Sequence, residues 1–240
     1  MKNIQLAIFV LLAGITLGVL SSCRFSCVHG SGKEASETRN MGHFSRIDIS
    51  GGYKIVLKQD SSYSLKITAD DNLLKYIKTD IDGSGLRIHS NKNMCNSGQI
   101  TVNIGVANLD EIKASGGVEV ESDGKINTKD IAFKLSGATK ITMDLNAANV
   151  TTRGSGSTEL NLTGQATSHD IELTGAGTVK ALDFVVSKCN IETSGVGHCE
   201  VNVLNTLSVH STGASEVKYR GNPSNITNNK LGASSLEKVD

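Results

Sequence analysis

Two carboxylates in a glycine-containing stretch are the most metal-like feature of this 240-residue chain. The segment Asp80-Ile81-Asp82-Gly83-Ser84-Gly85 spaces its oxygen-bearing side chains as the start of a calcium-binding loop does. The twelfth position of such a loop needs a bidentate Glu, and Asn91 stands there instead. A hairpin turn at or beside Asp82-Gly83, leading into Leu86-Arg87-Ile88, accounts for the same residues. We therefore predict no metal ligand.

Cysteine and histidine could supply nucleophilic chemistry only where they meet. The histidines at 29, 43, 89, 169, 198 and 210 show no metal-ligand spacing. His198 adjoins Cys199, but neighbouring side chains of a strand point to opposite faces. Cys189 and Cys199 share an inward parity, which favours packing as small apolar groups. A disulfide stays open for an exported chain, so whether Cys95, Cys189 and Cys199 are free or bonded is undecided. No catalytic residue, cofactor-binding residue or cofactor is predicted.

Cys23 is the one residue for which the sequence predicts a modification. A charged Met1-Lys2-Asn3 start precedes an apolar run from Ile4 to Leu20. Leu20-Ser21-Ser22-Cys23 then resembles a bacterial lipobox, in which cleavage precedes the cysteine and the cysteine receives lipid. A membrane-spanning anchor is less favoured, because the apolar run is of borderline length. We predict a signal peptide at 1–22 and lipidation at Cys23.

The polar residues after Cys23 contain few apolar groups, and we predict a flexible tether over 23–42 followed by one domain over 43–240. The 24 basic and 24 acidic side chains balance, so the composition gives no sign of nucleic-acid binding. Aromatic residues make up 4% of the chain and Trp is absent, which weakens a role based on stacking against sugars.

A repeat from Glu111 to Lys238 must position all of these side chains. Ser or Thr, then Gly, then a small residue recur, with glycines at 116, 137, 156, 175, 195 and 213, and Gly232-Ala233 continues the series. The interval is 18 to 21 residues. One such unit cannot bury its own apolar face, so the period predicts stacked repeats. Glycine is expected where coils about 4.8 Å apart turn a corner. A phosphate-binding glycine loop is not favoured, because no helix follows.

The columns of the repeat alternate between apolar and polar residues. Positions four residues after each glycine are apolar: Val120, Ile141, Leu160, Val179, Cys199, Val217 and Leu236. Positions three before carry polar or charged groups: Lys113, Lys134, Arg153, Glu172, Glu192 and His210. This alternation, with no helical period, predicts a parallel β-helix, a solenoid of short strands. Stacking should then bring Arg153 beside Glu172.

Residues 42–105 lose the glycine spacing but keep alternating segments, which predicts an atypical N-terminal cap and the first coils. Asp71-Asn72-Leu73-Leu74 could start a helical turn, with Asp71 or Asn72 as its cap.

The order of motifs along the chain resembles one family. Phe44-Ser45-Arg46-Ile47, Leu73-Leu74-Lys75-Tyr76-Ile77 and Gly85-Leu86-Arg87-Ile88 precede the Ser-Gly repeats, and Tyr219-Arg220-Gly221-Asn222-Pro223 follows them. Over roughly residues 43 to 239 the chain is similar to the putative auto-transporter adhesin head GIN domain family, which is widespread in Bacteroidetes lipoproteins. The resemblance implies an all-β, right-handed parallel β-helix and adds weight to a role in binding.

Localisation follows from the residues next to Cys23. Arg24 differs from the Asp that retains lipoproteins in the inner membrane of enteric bacteria, and Arg24-Phe25-Ser26-Cys27 differs from the acidic surface-export signal of Bacteroidetes. We predict an outer-membrane lipoprotein and leave the face of the membrane open.

Two function classes fit the sequence. The favoured one is a non-catalytic, adhesin-like envelope module that binds a polysaccharide or an envelope protein, or acts as a spacer. The alternative is a polysaccharide lyase or hydrolase on a β-helix face. An enzyme needs acids or bases clustered on one face, whereas the outward columns mix their chemistry. One of them contains Glu119, Lys140, Glu159, Thr178, His198 and Glu216.

Overall fold

The computed structural model describes residues 27–240. The predicted signal peptide at 1–22 and the predicted lipidation site, Cys23, lie outside the described residues. Within them the chain is all-β, as predicted, with a single 3₁₀ turn at Leu74–Tyr76.

Fourteen strands follow one another along the described chain. They are β1 (Val28–His29), β2 (Glu34–Asn40), β3 (Arg46–Gln59), β4 (Ser64–Asp70), β5 (Ile77–Asp82), β6 (Gly85–Ser90), β7 (Met94–Cys95), β8 (Thr101–Val106), β9 (Glu111–Asn127), β10 (Asp130–Gly195), β11 (His198–Gly213), β12 (Glu216–Arg220), β13 (Asn225–Gly232) and β14 (Ser235–Lys238).

These strands form a large mixed sheet and one separate pair. The order is β14-β12-β11-β10-β9-β3-β8-β4-β2, with β13 beside β11 and the β5–β6 hairpin beside β3. Every pairing from β3 and β9 to β14 is parallel, whereas β4 pairs antiparallel with β2 and β8. The short strands β1 and β7 pair apart from this sheet. The parallel part therefore carries the repeat, and the antiparallel part lies at its N-terminal end.

The recurring glycines stack directly on one another. A Cβ atom placed on Gly116 would lie 2.6 Å from the carbonyl oxygen of Gly51, and one on Gly137 would lie 3.1 Å from the backbone of Gly116. The same contact links each later pair in the series Gly137, Gly156, Gly175, Gly195, Gly213 and Gly232. Each of these glycines has a positive φ, for example 95° at Gly116, which L side chains rarely adopt. Glycine is thus required both for space and for backbone conformation.

The apolar column after the glycines forms the predicted inward ladder. Val120 pairs with Ile141, and Cys199 pairs with both Val179 and Val217. These side chains and Leu160 are buried, and Leu236 at the end of the series is half-buried. Each repeat contributes one rung, that is, one strand segment, to this ladder. The alternation in the sequence therefore predicted the correct face for every rung.

Hydroxyl groups replace part of the apolar interior near the C-terminal end. The buried Thr193 hydroxyl is 2.9 Å from that of Ser211 and 2.7 Å from that of Ser215, and Ser211 continues to Ser234 at 2.7 Å. Opposite them stands Gly197, where an added Cβ would lie 3.0 Å from Cγ2 of Thr193. The interior is narrow here, and its polar groups are tolerated because they bond to one another.

Residues 27–40 do not form the predicted flexible tether. Strand β2 pairs antiparallel with β4 over its whole length, from Glu34 opposite Asp70 to Asn40 opposite Ser64. Arg39 extends from β2 and donates to the carbonyl oxygens of Ile77 and Leu74. The polar composition of this segment led to the wrong prediction, because an edge strand with one solvated face needs few apolar residues.

Cys27 and Cys95 form a disulfide that closes a span of 68 residues. It lies at the β1–β7 pair, where the Val28 amide also donates to the Asn93 carbonyl at 2.8 Å. The sequence left Cys95 undecided. Cys189 and Cys199 are buried, as predicted from their inward parity, and both are free, which the sequence also left undecided.

The predicted side-chain cap of the helical turn is wrong. Leu73 holds the cap position of the 3₁₀ turn and makes no capping hydrogen bond. Asp71 and Asn72 instead bind the N-terminal segment: Asp71 accepts from the Ser31 hydroxyl at 2.6 Å, and Asn72 donates to the His29 carbonyl at 2.8 Å. Their partners are about 40 residues away, so local sequence could not reveal this role.

Adjacent glycines provide a matched test of the stacking. Gly116→Ala should destabilise the chain by about 1–3 kcal/mol, because the new methyl group would contact the backbone of Gly51 and the positive φ of residue 116 is unfavourable for alanine. Gly117→Ala should stay within about 1 kcal/mol of the parent, because nothing lies within 4 Å of its Cβ position. The measurement is the free energy of unfolding in urea. Equal losses for the two variants would contradict close stacking at Gly116.

Candidate functional site

The Asp80–Gly85 stretch is a hairpin turn, as predicted. Strands β5 and β6 pair antiparallel up to Asp82 opposite Gly85, and Gly83 between them has a φ of 59°. Asp80 and Asp82 are exposed. Across residues 27–240, no group of three or more His, Cys, Asp or Glu residues is placed to hold a metal ion. The turn has a structural role and brings no ligands together.

His198 and Cys199 point to opposite sides of their strand. Each ring nitrogen of His198 faces a carboxylate, with Nδ1 3.0 Å from Glu216 and Nε2 3.1 Å from Glu200. Cys199 is buried in the interior, where desolvation raises the pKa of its thiol to about 12. The two side chains therefore cannot act as a nucleophile and its base.

His169 is a buried histidine that the sequence reading did not single out. Its Nε2 atom is 2.9 Å from the Thr152 hydroxyl, and its ring packs edge-on against Phe184. Burial lowers the pKa of His169 to about 3, so the ring is neutral at neutral pH. His169 lies two residues before the inward-facing Ile171, so the alternation of the strand places both side chains on the same face. That alternation could have identified His169 as a buried residue. It is a core histidine and lies outside any surface site.

The charged column before the glycines forms ion pairs between neighbouring rungs. Arg153 lies 3.0 Å from Glu172, as predicted. Lys134 pairs with Glu111 at 2.6 Å, and Lys113 with Asp48 at 2.8 Å. These side chains remain substantially exposed, so each pair contributes about 0–1 kcal/mol. The three basic side chains of this face, Lys113, Lys134 and Arg153, are therefore each paired with a carboxylate.

A second face, formed by the outward positions after the glycines, carries another set of pairs. Lys180 lies 3.1 Å from Glu159, and hydrogen bonds from Lys180 and Asn161 hold the pKa of Glu159 below its usual range. Lys140 makes the equivalent pair nearer the N-terminus, 3.9 Å from Glu119. Asn161 also donates to Thr142 one repeat earlier, at 3.3 Å.

An open cleft of about 570 Å³ borders this second face. Its lining comes from five successive repeats: Glu121, Ser122, Gly124, Thr142, Met143, Asp144, Asn161, Leu162, Thr163, Lys180, Leu182, Asp183 and Glu200. The cleft therefore crosses the strands and extends in the direction in which the repeats stack. Buried Met143 and Leu162 contribute to its wall, and exposed Thr142 and Thr163 contribute hydroxyl groups.

Each carboxylate that lines the cleft has a basic side chain nearby. Glu121 is 2.9 Å from Lys54, and Glu200 is 3.1 Å from His198. Asp144 is 3.7 Å from Lys125, and Asp183 is 3.6 Å from Arg220. Each of these carboxylates thus lies beside a different basic side chain. The sequence reading missed this cleft because it takes only one to three residues from each repeat.

No helix within residues 27–240 combines the length and the hydrophobicity needed to cross a membrane.

Acid should destabilise the fold through His169. The folded-state pKa lies near 3 and the unfolded value near 6.5, so the stability is complete above about pH 6.5 and is lost as the pH falls toward 3. Between pH 7 and pH 4.5 the loss from this residue should be roughly 2–3 kcal/mol.

His169→Gln isolates that contribution, because glutamine can still bond to Thr152 but does not titrate. The free energy of unfolding of the variant should fall less over this pH range than that of the parent. Thr167→Gln introduces the same side chain at an exposed position of the same strand and removes no titrating group, so it should leave the pH dependence unchanged. An equal fall for parent and His169→Gln would show that His169 titrates normally.

Comparison with known proteins identifies solved structures that have a similar architecture. Solved structures with a similar fold include an adhesin from Bacteroides fragilis described as putative, with 19% identity, a TM-score of 0.84, and coverage of 88% of this chain and 100% of the other. A second putative adhesin, from Parabacteroides merdae, has 20% identity, a TM-score of 0.69, and coverage of 89% and 99%. A putative lipid binding protein from Parabacteroides distasonis has 17% identity, a TM-score of 0.71, and coverage of 90% and 100%.

At these identities the similarity concerns the fold alone. Among curated proteins, none matches this chain. A family model also matches: residues 43–223 fit the family described as "Putative auto-transporter adhesin, head GIN domain". That match covers most of the chain and agrees with the motif order read from Phe44 to Pro223, so this chain belongs to the putative auto-transporter adhesin, head GIN domain family.

Proposed function

We propose that this chain is a non-catalytic outer-membrane lipoprotein that binds an uncharged polysaccharide along its cleft. The observation that carries the proposal is the open cleft of about 570 Å³, which extends across five repeats and offers hydroxyl, amide and carboxylate groups beside short apolar stretches. Its position on a stack of repeats suits an extended ligand better than a compact one.

The proposal includes a right-handed parallel β-helix as the architecture of the repeat region. Supporting this are the parallel pairings from β3 to β14 and the continuous stack of glycines. Side-chain hydrogen bonds between residues 19 apart give the same spacing, such as Asn146 to Asn127 at 3.2 Å and Ser168 to Asn149 at 2.9 Å.

The charges of the cleft favour an uncharged ligand. Its lining contains the carboxylates of Glu121, Asp144, Asp183 and Glu200 but only one basic residue, Lys180. These carboxylates already have basic partners and Lys180 pairs with Glu159, so the lining offers uronic acids no uncommitted cation, whereas sugar hydroxyls can donate to carboxylates and accept from amides. The lining has no aromatic side chain. Binding would therefore depend on hydrogen bonds, and its affinity per sugar should be low.

Relatives in fold support a binding role only in general terms. Two are described as putative adhesins, and one is described as a putative lipid binding protein. We apply the first description to this chain because the cleft is open and presents hydroxyl, amide and carboxylate groups beside its apolar wall.

A polysaccharide hydrolase or lyase is the second candidate, and the four cleft carboxylates are the observation in its favour. Glycoside hydrolysis needs two carboxyl groups that flank one bond, with one of them protonated. Here each carboxylate faces its own basic partner, such as Lys54 beside Glu121 and Arg220 beside Asp183. That arrangement favours binding over acid–base catalysis.

Obstruction of the cleft should abolish glycan binding. Thr163→Arg places a long cation among the lining residues, whereas Thr167→Arg changes an exposed threonine of the same repeat outside the cleft. Binding of the mature lipoprotein in detergent would be measured by calorimetry against neutral and uronate-containing bacterial polysaccharides.

We expect binding to neutral chains, a loss of at least about tenfold for Thr163→Arg, which corresponds to about 1.4 kcal/mol, and no change for Thr167→Arg. Equal binding by both variants, or a preference for uronates, would refute the proposed site. Release of product that Glu121→Gln or Asp183→Asn abolishes would establish the enzymatic alternative instead.

Membrane attachment is proposed to depend on Cys23. Cys23→Ala should prevent acylation and release the protein from the membrane fraction, while its folded domain remains unchanged. Intact mass of the mature chain from the native host measures the lipid directly. A mature N-terminus without added lipid would disprove this part of the proposal.

A further inference from the structure

The segment that follows the proposed lipid site is fixed to the domain at several points. Cys27 is bonded to Cys95, and Ser31 is held through its amide by Asn72 at 3.1 Å and through its hydroxyl by Asp71 at 2.6 Å. Strand β2 then joins the sheet edge through its pairing with β4. The chain is thus anchored to the domain from Cys27 onward.

Only residues 24–26 separate Cys23 from the first fixed point. Covalent geometry limits four residue steps to about 14 Å, whereas a free 20-residue tether could extend to about 70 Å. A lipid on Cys23 would therefore hold the Cys27–Cys95 disulfide within about 14 Å of the bilayer surface.

We propose that the end of the domain around this disulfide is a membrane-facing surface, and that the disulfide is the clasp that keeps it there. The surface consists of β1, β7, the Asp71-Asn72 turn and the 3₁₀ turn. This inference rests on the proposed lipidation of Cys23. Its partner is the bilayer into which that lipid inserts.

The order of strands makes the opposite end point away from the membrane. Strand β2 stands at one end of the sheet, while β13 and β14 stand at the other. Eight stacked glycines, from Gly51 to Gly232, imply a separation of about 34 Å at about 4.8 Å per rung. The cleft lies between the two ends and extends away from the bilayer.

Charged groups on the proposed surface are mixed. Lys33, Lys75 and Lys92 are exposed, and the nearby acids are Glu34, Asp70 and the Ser31-bonded Asp71. The three basic and three acidic groups balance, so attraction of lysine to anionic headgroups does not decide the orientation. The covalent limit on distance is the stronger constraint, since it holds for any lipid composition.

The absence of Trp from the chain allows a direct test. Asn93→Trp and Asn229→Trp each place one indole at an exposed asparagine, beside β7 in the first and on β13 in the second. The lipidated proteins are inserted into phosphatidylcholine vesicles that contain dansyl-phosphatidylethanolamine, and energy transfer from Trp to dansyl is measured.

Transfer from position 93 should be at least about threefold larger than from position 229, because the ends are about 34 Å apart. In the Asn93→Trp protein, Cys27→Ser with Cys95→Ser should reduce transfer. The two-residue β1–β7 pair is too short to hold the segment alone, and the next fixed point is Ser31, about 29 Å of chain from Cys23. A 20-residue Gly/Ser insertion after Arg24 should reduce it further while vesicle binding is kept.

Vesicle flotation and intact mass separate the two proposals. A protein that carries lipid and floats but gives equal transfer from both positions would overturn the membrane-facing surface and leave lipidation intact. A protein without lipid that fails to float would overturn both. Unchanged transfer after removal of the disulfide would show that Cys27–Cys95 is not the clasp.

Discussion

The close approach of backbones at the stacked glycines is the constraint on which the rest of this structure depends. Neighbouring strand segments meet there with no room for a side chain, and the backbone takes a conformation that glycine alone adopts without strain. Once these glycines are aligned, the residues at equal distance from each glycine fall into columns across the strands. The register of Val120 on Ile141, and of Cys199 on Val217, follows from that alignment.

The columns determine what the surface can do. A position that repeats about every 19 residues stacks on its own equivalents, so amides bond to amides and opposite charges pair, as Arg153 does with Glu172. Such pairs contribute little individually because they are exposed. They nevertheless remove isolated charge from the faces. What remains distinctive is the cleft, where the columns carry unlike side chains from Glu121 to Glu200.

Sequence alone predicted the features that depend on local pattern. The inward ladder, the β5–β6 hairpin and the burial of Cys189 and Cys199 all follow from alternation and turn chemistry, which a few neighbouring residues specify. The strand β2, the Cys27–Cys95 bond and the role of Asp71 were missed because their partners are tens of residues away. The cleft was missed for a related reason, since no single repeat contains enough of it to be recognised.

The position of the lipid anchor and the direction of the cleft together constrain how a bound ligand would be oriented relative to the membrane. If the disulfide end rests on the bilayer, a polymer in the cleft lies along the stacking direction and leads away from the membrane. Each rung advances about 4.8 Å, which is comparable to one sugar unit of an extended chain. Consecutive sugars would then meet consecutive rungs, and the differences between Thr142, Asn161 and Lys180 would select among sugar sequences. A rigid attachment favours this arrangement over a long tether, because it fixes the direction in which the binding face points.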